Sequence, residues 1–175
     1  MIHLRALGGQ DLRQGDREVR AVLQQPKRFA LLLFLTAARG RLLRRDTLLA
    51  QFWPELDQEH ARAALRRALY FLRRALGDDT IAGRGDEEVG LADGAVTTDI
   101  GEFEAALARG DARRALDLYS GDLLPGFYVS GAPEVERWID GERDRLRRAA
   151  AALAWSLAES PGARATEAVE WAARR

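Results

Sequence analysis

The chain is 175 residues long, 47% hydrophobic and 31% charged, with Lys+Arg and Asp+Glu both at 27 and no cysteine. That length holds one sizeable core or two small ones. The missing cysteine removes disulfides, thiolate metal sites and cysteine nucleophiles together. The two histidines, His3 and His60, are too far apart to form a local ligand pair, so a structural zinc site is excluded and histidine-based catalysis has little to work with. The longest apolar run, Phe29 to Leu35, is far short of the ~20 residues of a membrane helix and starts too far from Met1 for a signal peptide. The composition therefore gives the expectation of a soluble, cytoplasmic chain with no membrane partner, metal or cofactor.

The zero net charge hides a division. Residues 1–76 carry 15 basic residues against 7 acidic, net +8. Residues 77–144 carry 6 against 17, net −11, and residues 145–175 carry 6 against 3, net +3. A basic front and an acidic middle imply two units with different partners, the front one facing something anionic. Lys27 is the single lysine, so arginine abundance reflects proteome bias and arginine placement carries more information.

Ile2 to Leu7 alternates apolar and polar and ends at Gly8-Gly9, which predicts a strand and a turn. Asp11 to Arg13 and Glu18 to Val22 read as short strands around Gly15-Asp16, completing a small antiparallel sheet. Pro26 suits a first helical turn. Phe29 to Ala38 is apolar on all sides, as in a buried helix, and Gly40 stops it. A short helix spans Arg45 to Phe52 and ends at Trp53-Pro54. After a loop to Gln58, a long helix covers Glu59 to Leu76 and closes at Gly77. Thr80–Ala82 and Glu88–Leu91 flank Gly83-Arg84-Gly85-Asp86, a hairpin signal. A turn at Asp93-Gly94 then leads to Val96-Thr97-Thr98.

From Asp99 the pattern is helical. Ile100–Ala108 ends at Gly110, and Ala112–Tyr119 ends at Gly121. Leu123 to Phe127 reads as an irregular apolar linker. Pro133 opens a long helix to about Leu157. Ser160-Pro161-Gly162 breaks it, and Arg164–Arg174 forms a last short helix whose outer side nothing follows to cover. Paired helices at this spacing are similar to tetratricopeptide-type repeats.

The long helix carries the functional argument. Leu65, Leu69, Leu72 and Leu76 fall within about 60° on a helical wheel, a single core-facing stripe. Arg62, Arg73, Arg66, Tyr70, Arg74 and Arg67 spread over the face opposite, with no acid between Ala61 and Leu76. Such a face fits a major groove, where guanidinium binds phosphates or pairs bidentately with guanine. The competing reading is a solvated face in an arginine-rich proteome. The absence of acids counts against it, because merely soluble helices mix signs in i,i+4 pairs.

Strands, a buried helix, a short helix, a loop, a basic helix and a Gly-rich hairpin make up the order of a winged helix-turn-helix. Gly40-Arg41, Arg45–Leu49, Phe52-Trp53-Pro54 and Leu65–Gly77 resemble the OmpR-type winged helix in the version found in the SARP class of bacterial regulators. Asp99-Ile100-Gly101-Glu102-Phe103, Ala115 through Phe127 and Trp138–Arg143 resemble the bacterial transcriptional activator domain (BTAD), a tetratricopeptide-like module. The run Leu-Tyr-Ser-Gly-Asp-Leu-Leu-Pro-Gly-Phe at 118–127 is the most specific of these. The resemblance implies an α+β winged helix-turn-helix domain over residues 1–98 and an all-α tetratricopeptide-like domain over 99–175. Two departures stand out. Arg44 occupies the position where the family puts a Ser or Thr cap, so a loose helix start is expected. The activator domain is also shorter than usual, which leaves open a fragment or a short stand-alone member; no receiver domain precedes the winged helix, so phosphorylation control of that kind is not expected.

The resulting expectation is a DNA-binding transcriptional activator and not an enzyme. Arg62, Arg66, Arg67, Tyr70, Arg73 and Arg74 are the DNA contacts. Arg84 at the hairpin tip reaches a phosphate or the minor groove; the opposing reading, that Asp86, Glu87 and Glu88 make the tip repel DNA, stays open. The resemblance implies that Pro54, Glu55, Leu56, Asp57 and Gln58 touch RNA polymerase, and that protomers bind DNA as a homodimer on direct repeats. The alternatives are an interaction adaptor without DNA binding and a module of a larger signalling protein. His60 reads as a helix-end polar residue, while Trp53, Trp138 and Trp155 read as core. Asp78-Asp79 reads as a helix-exit turn, and no phosphate-binding loop is possible.

Overall fold

The computed structural model describes residues 1–159. The expected last helix, Arg164–Arg174, and the break at Ser160-Pro161-Gly162 lie outside the described residues. In chain order the elements are β1 (Ile2–Arg5), β2 (Asp11–Gln14), β3 (Arg17–Glu18), α1 (Arg20–Leu23), α2 (Pro26–Ala37), β4 (Leu43–Arg44), α3 (Arg45–Phe52) and α4 (Gln58–Leu76). A 3₁₀ turn (Asp78–Thr80), β5 (Ile81–Arg84), β6 (Glu88–Leu91), β7 (Val96–Thr98), α5 (Asp99–Ala108), α6 (Ala112–Leu118) and α7 (Pro133–Glu159) follow.

These elements form two compact units that interleave along the sequence. The first comprises Met1–Leu4, Asp11–Thr98 and Gly126–Trp138; the second comprises Arg5–Gln10, Asp99–Pro125 and, among the described residues, the chain from Ile139 on.

In the first unit, α2 is the core helix. Phe29, Ala30, Leu31, Leu32, Leu33 and Leu35 are all buried, which its all-round apolar sequence requires. A four-stranded sheet runs in the order β3-β2-β1-β7, and a three-stranded sheet in the order β4-β6-β5. The N-terminal sheet is mixed rather than antiparallel, because β1 pairs in parallel with β7, Ile2 opposite Val96 and Leu4 opposite Thr98. The expected strand Glu18–Val22 is mostly the short helix α1. Its buried residues Val19 and Val22 are three apart, a helical and not a strand spacing. The first strand of the Gly-rich hairpin starts at Ile81 rather than Thr80, since Asp78–Thr80 makes the 3₁₀ exit turn. Around α2, Phe34 meets Phe52 edge-on at 5.6 Å and Trp138 at 4.8 Å, and Phe29 meets Phe127 at 5.6 Å. The segment 126–138 is thus part of this core.

The second unit is held by backbone groups of residues 5–10. The carboxylate of Asp99 accepts the N–H of Ala6 (3.0 and 2.9 Å) and of Leu7 (2.8 Å), and the N–H of Ile100 at 2.9 Å. Gly8 N–H donates to the Asp122 carbonyl at 2.9 Å, Leu124 N–H to that of Ala6 at 2.8 Å, and Ser120 Oγ–H to that of Leu7 at 2.6 Å. A methyl on Gly121 would lie 2.7 Å from Gly8 Cα, so this crossing admits only glycine. Leu123 and Leu124 are fully buried, which corrects their reading as a linker. Arg143 donates to both their carbonyls, at 2.7 and 2.8 Å. The helices α5 and α6 pack against each other, with Phe103 beside Tyr119 at 5.6 Å. On α7, Ile139, Leu146 and Ala150 are buried, whereas Trp155 is 68% exposed. Its expected core position fails because it lies about 180° around the helix from Leu146 at ~100° per residue.

Candidate nucleic-acid interface

The basic helix is built on ordinary helix chemistry. Asp57 is its N-cap: one carboxylate oxygen accepts the His60 N–H at 3.0 Å, and the other lies 2.7 Å from His60 Nδ1. These hydrogen bonds, the backbone one foremost, hold the Asp57 carboxyl below its ordinary range. His60 is therefore a helix-end residue. At the other end Arg73 and Arg74 complement the helix dipole. The Leu76 carbonyl accepts from Gln14 at 3.0 Å and the Ala75 carbonyl from Arg17 at 3.3 Å, satisfying groups a helix end leaves open. Gly77, at φ +110°, ends the helix in a region that L side chains rarely adopt. Arg44 caps α3 with no side-chain hydrogen bond, in keeping with its departure from the family's Ser or Thr.

The stripe Ala61, Leu65, Ala68, Leu69, Leu72 and Leu76 is buried. Arg62, Arg66, Arg67, Tyr70 and Arg74 are exposed and Arg73 is half-buried; Tyr70 keeps 65% of its surface in solvent. Among the described residues Arg66, Arg67, Arg73 and Arg74 have no carboxylate within ion-pair distance. Arg62 has one, Asp46, at a long 3.9 Å. A face of arginines kept only for solubility would carry more such pairs.

Arg62 and Arg66 share a cavity of about 570 Å³ with Arg44, Arg45 and Asp46 of β4 and α3, Gln58 and Glu59 of α4, and Asp86 and Glu87 of the hairpin tip. Arg67, Tyr70, Arg73, Arg74 and Arg84 are not among its lining residues. Arg84 is exposed at the tip and pairs with Glu88 at 3.3 Å. Arg45 and Glu59 were not singled out by sequence reasoning, and Arg44 only as a departure from the helix cap. The dibasic pair at the start of α3 and the acid one turn before Arg62 were the available signals. Arg45 Nε is a buried donor with no hydrogen-bond partner among the described residues.

Pro54, Glu55, Leu56, Asp57 and Gln58 are all exposed. Their loop is anchored by Trp53, which is buried as expected, and by Lys27. The Lys27 ammonium sits 5.8 Å over the Trp53 ring, 3.6 Å from Glu55 and 3.1 Å from the Gly131 carbonyl. A shallow groove of about 270 Å³ runs beside the loop, lined in part by Leu49, Trp53, Pro54 and Leu56.

This arrangement is that of a known domain. Residues 19–85 match the family described as transcriptional regulatory protein, C terminal. The fold of that stretch is a winged helix. Mycobacterium tuberculosis EmbR, solved in complex with a low-affinity phosphopeptide, is similar in fold: TM-score 0.63 at 23% identity, over 87% of this chain and 44% of that one. An uncharacterized 47.3 kDa protein in the thcA 5' region of Rhodococcus erythropolis is 38% identical over 95 residues, which are 54% of this chain and 19% of that protein. The matches thus cover less than half the length of either relative. The family match and the fold agree on a winged-helix transcriptional regulatory domain. Among the described residues no helix is long and apolar enough to cross a membrane.

Proposed function

We propose that the chain is a sequence-specific, double-stranded-DNA-binding transcriptional activator. Helix α4 lies in the major groove, where Arg62, Arg66, Arg67, Tyr70, Arg73 and Arg74 make the contacts, and Arg84 adds a contact from the wing. The observation that carries this reading is the exposed Arg/Tyr face of α4 set against a buried Leu stripe. Unpaired guanidinium groups on one face neutralise phosphates and release counterions. The exposed loop Pro54–Gln58, held from behind by Lys27, is the RNA polymerase contact. Residues 99–175 form a tetratricopeptide-like BTAD module, and two protomers bind direct repeats, since one helix reads too few base pairs for a genome.

Fluorescence anisotropy with labelled duplex across a salt series tests the reading. The binding constant should fall with salt by about 0.9 log units per log salt for each phosphate neutralised. Arg66→Ala should cost about 1–3 kcal/mol on a specific site. Binding that ignores salt, or an Arg66→Ala variant equal to the parent at every salt concentration, refutes the proposal.

A further inference from the structure

The exposed face of α4 carries an acid that its run of arginines conceals. Glu59 lies three residues before Arg62 and seven before Arg66, so it continues the same stripe toward the N-terminus. It is exposed and lines the 570 Å³ cavity with both arginines, and among the described residues it has no ion-pair partner. The cavity's charges balance: Arg44, Arg45, Arg62 and Arg66 face Asp46, Glu59, Asp86 and Glu87. Beyond it, the part of the face bearing Arg67, Arg73 and Arg74 has no acid at all.

This inference rests on the DNA-binding reading above. We infer that the two parts of the face divide the work, and that Glu59 is a specificity-determining residue that accepts the exocyclic amino group of a cytosine. Phosphates repel a carboxylate, so a balanced surface is a poor backbone clamp, whereas the acid-free part is a good one. Base edges are different. In the major groove the cytosine N4 amino group is a donor that a carboxylate accepts, while guanine O6 and N7 accept from arginine. The N-terminal residues of a recognition helix are also those that reach base edges. At 1.5 Å per residue, Glu59 stands about 5 Å from Arg62 and about 10 Å from Arg66 along the axis. Those separations are about one and three base-pair steps of 3.4 Å. The site read is thus a short G·C-containing element, with cytosine at the Glu59 end and guanine opposite Arg62 or Arg66.

The test uses the full chain and duplexes that the parent selects from random sequence. Glu59→Gln and Glu59→Ala should each lose about 5- to 100-fold discrimination at one C·G pair, with selectivity elsewhere and the salt slope unchanged. Arg73→Ala should do the converse, lowering the salt slope by about one unit with base preference unchanged. If the parent selects a site and the Glu59 variants select the same one, the inference is overturned while DNA binding stands. Uniformly tighter binding to every sequence, the mark of a carboxylate acting only as a charge, also overturns it. A parent that retains no duplex defeats the DNA-binding reading itself.

Discussion

Replacing Asp99 should unravel the attachment of residues 5–10 to the helical unit. Its carboxylate accepts from Ala6, Leu7 and Ile100 N–H groups, and Asp99 itself is 5% exposed. Ala6 and Leu7 are 0% and 1% exposed, so in Asp99→Ala water cannot replace the lost acceptor. Each stranded buried donor costs about 1–3 kcal/mol, which puts the loss at about 2–6 kcal/mol for the two. Asp99→Asn keeps a single oxygen. It can serve Ala6 together with either Leu7 or Ile100, but not all three, so its cost should be about half. Urea denaturation gives the free energies, and hydrogen exchange at the Ala6 and Leu7 amides gives the location. An Asp99→Ala variant within about 0.5 kcal/mol of the parent, the ordinary range of a surface substitution, would refute the assignment of this carboxylate as a backbone anchor.

Two further outcomes follow from the site. The Asp57 carboxyl titrates lower in the folded chain than in the unfolded one, so the unfolded state binds more protons as the pH falls. Its contribution is present above the ordinary carboxylate range and disappears as pH drops through the lowered folded value; Asp57→Asn should flatten the acid limb of α4 melting followed by circular dichroism. Lys27→Met removes the ion pair to Glu55, the bond to Gly131 and the cation over Trp53. It should cost about 1–2 kcal/mol in urea and speed amide exchange at Glu55 and Leu56, with duplex affinity unchanged; parental exchange at both amides would contradict the anchoring role.

What could be read from the sequence was what local periodicity encodes. The Leu65–Leu76 stripe identified α4 and with it the opposite face, because a 19-residue amphipathic helix repeats its signal several times. The two-residue strand β4 repeats nothing, and it exists only through its antiparallel pairing with the distant β6. The segment Leu123–Phe127 has apolar residues but no period. Its burial comes from backbone bonds to residues 6–8 and the Phe127–Phe29 contact, none of them local. Glu59 escapes that signal for a different reason: it lies one turn before Arg62, outside the acid-free run from Ala61 to Leu76. The cavity that joins α4 to Arg44, Arg45 and the hairpin tip brings together residues up to 43 positions apart, from Arg44 to Glu87, which no window of sequence can display.

The two charged regions of the chain differ in what their charges are available to do. In the acidic stretch after residue 77, the structure finds many carboxylates already occupied within their own unit. Asp99 holds backbone N–H groups, Asp111 caps α6 through Arg114 N–H at 3.1 Å, and Glu102 pairs with Arg114 at 3.3 Å. Glu104 and Glu142 both pair with Arg145, at 2.7 and 2.6 Å, while Asp122 holds Arg147 at 2.6 Å and the Tyr119 hydroxyl at 3.0 Å. Such groups stabilise the helical unit, so the net charge of −11 counted over residues 77–144 overstates the field that this stretch offers a partner. The arginines of α4 are in the opposite condition. Arg66, Arg67, Arg73 and Arg74 stand together without an acidic neighbour in ion-pair range among the described residues, and four cations sharing one helix face repel one another. That arrangement costs stability in the isolated chain, and a polyanion laid along the face removes the cost. The asymmetry visible in the sequence thus becomes, in the structure, one region whose charges are largely satisfied within its own fold and, on α4, four cations with no carboxylate in ion-pair range among the described residues.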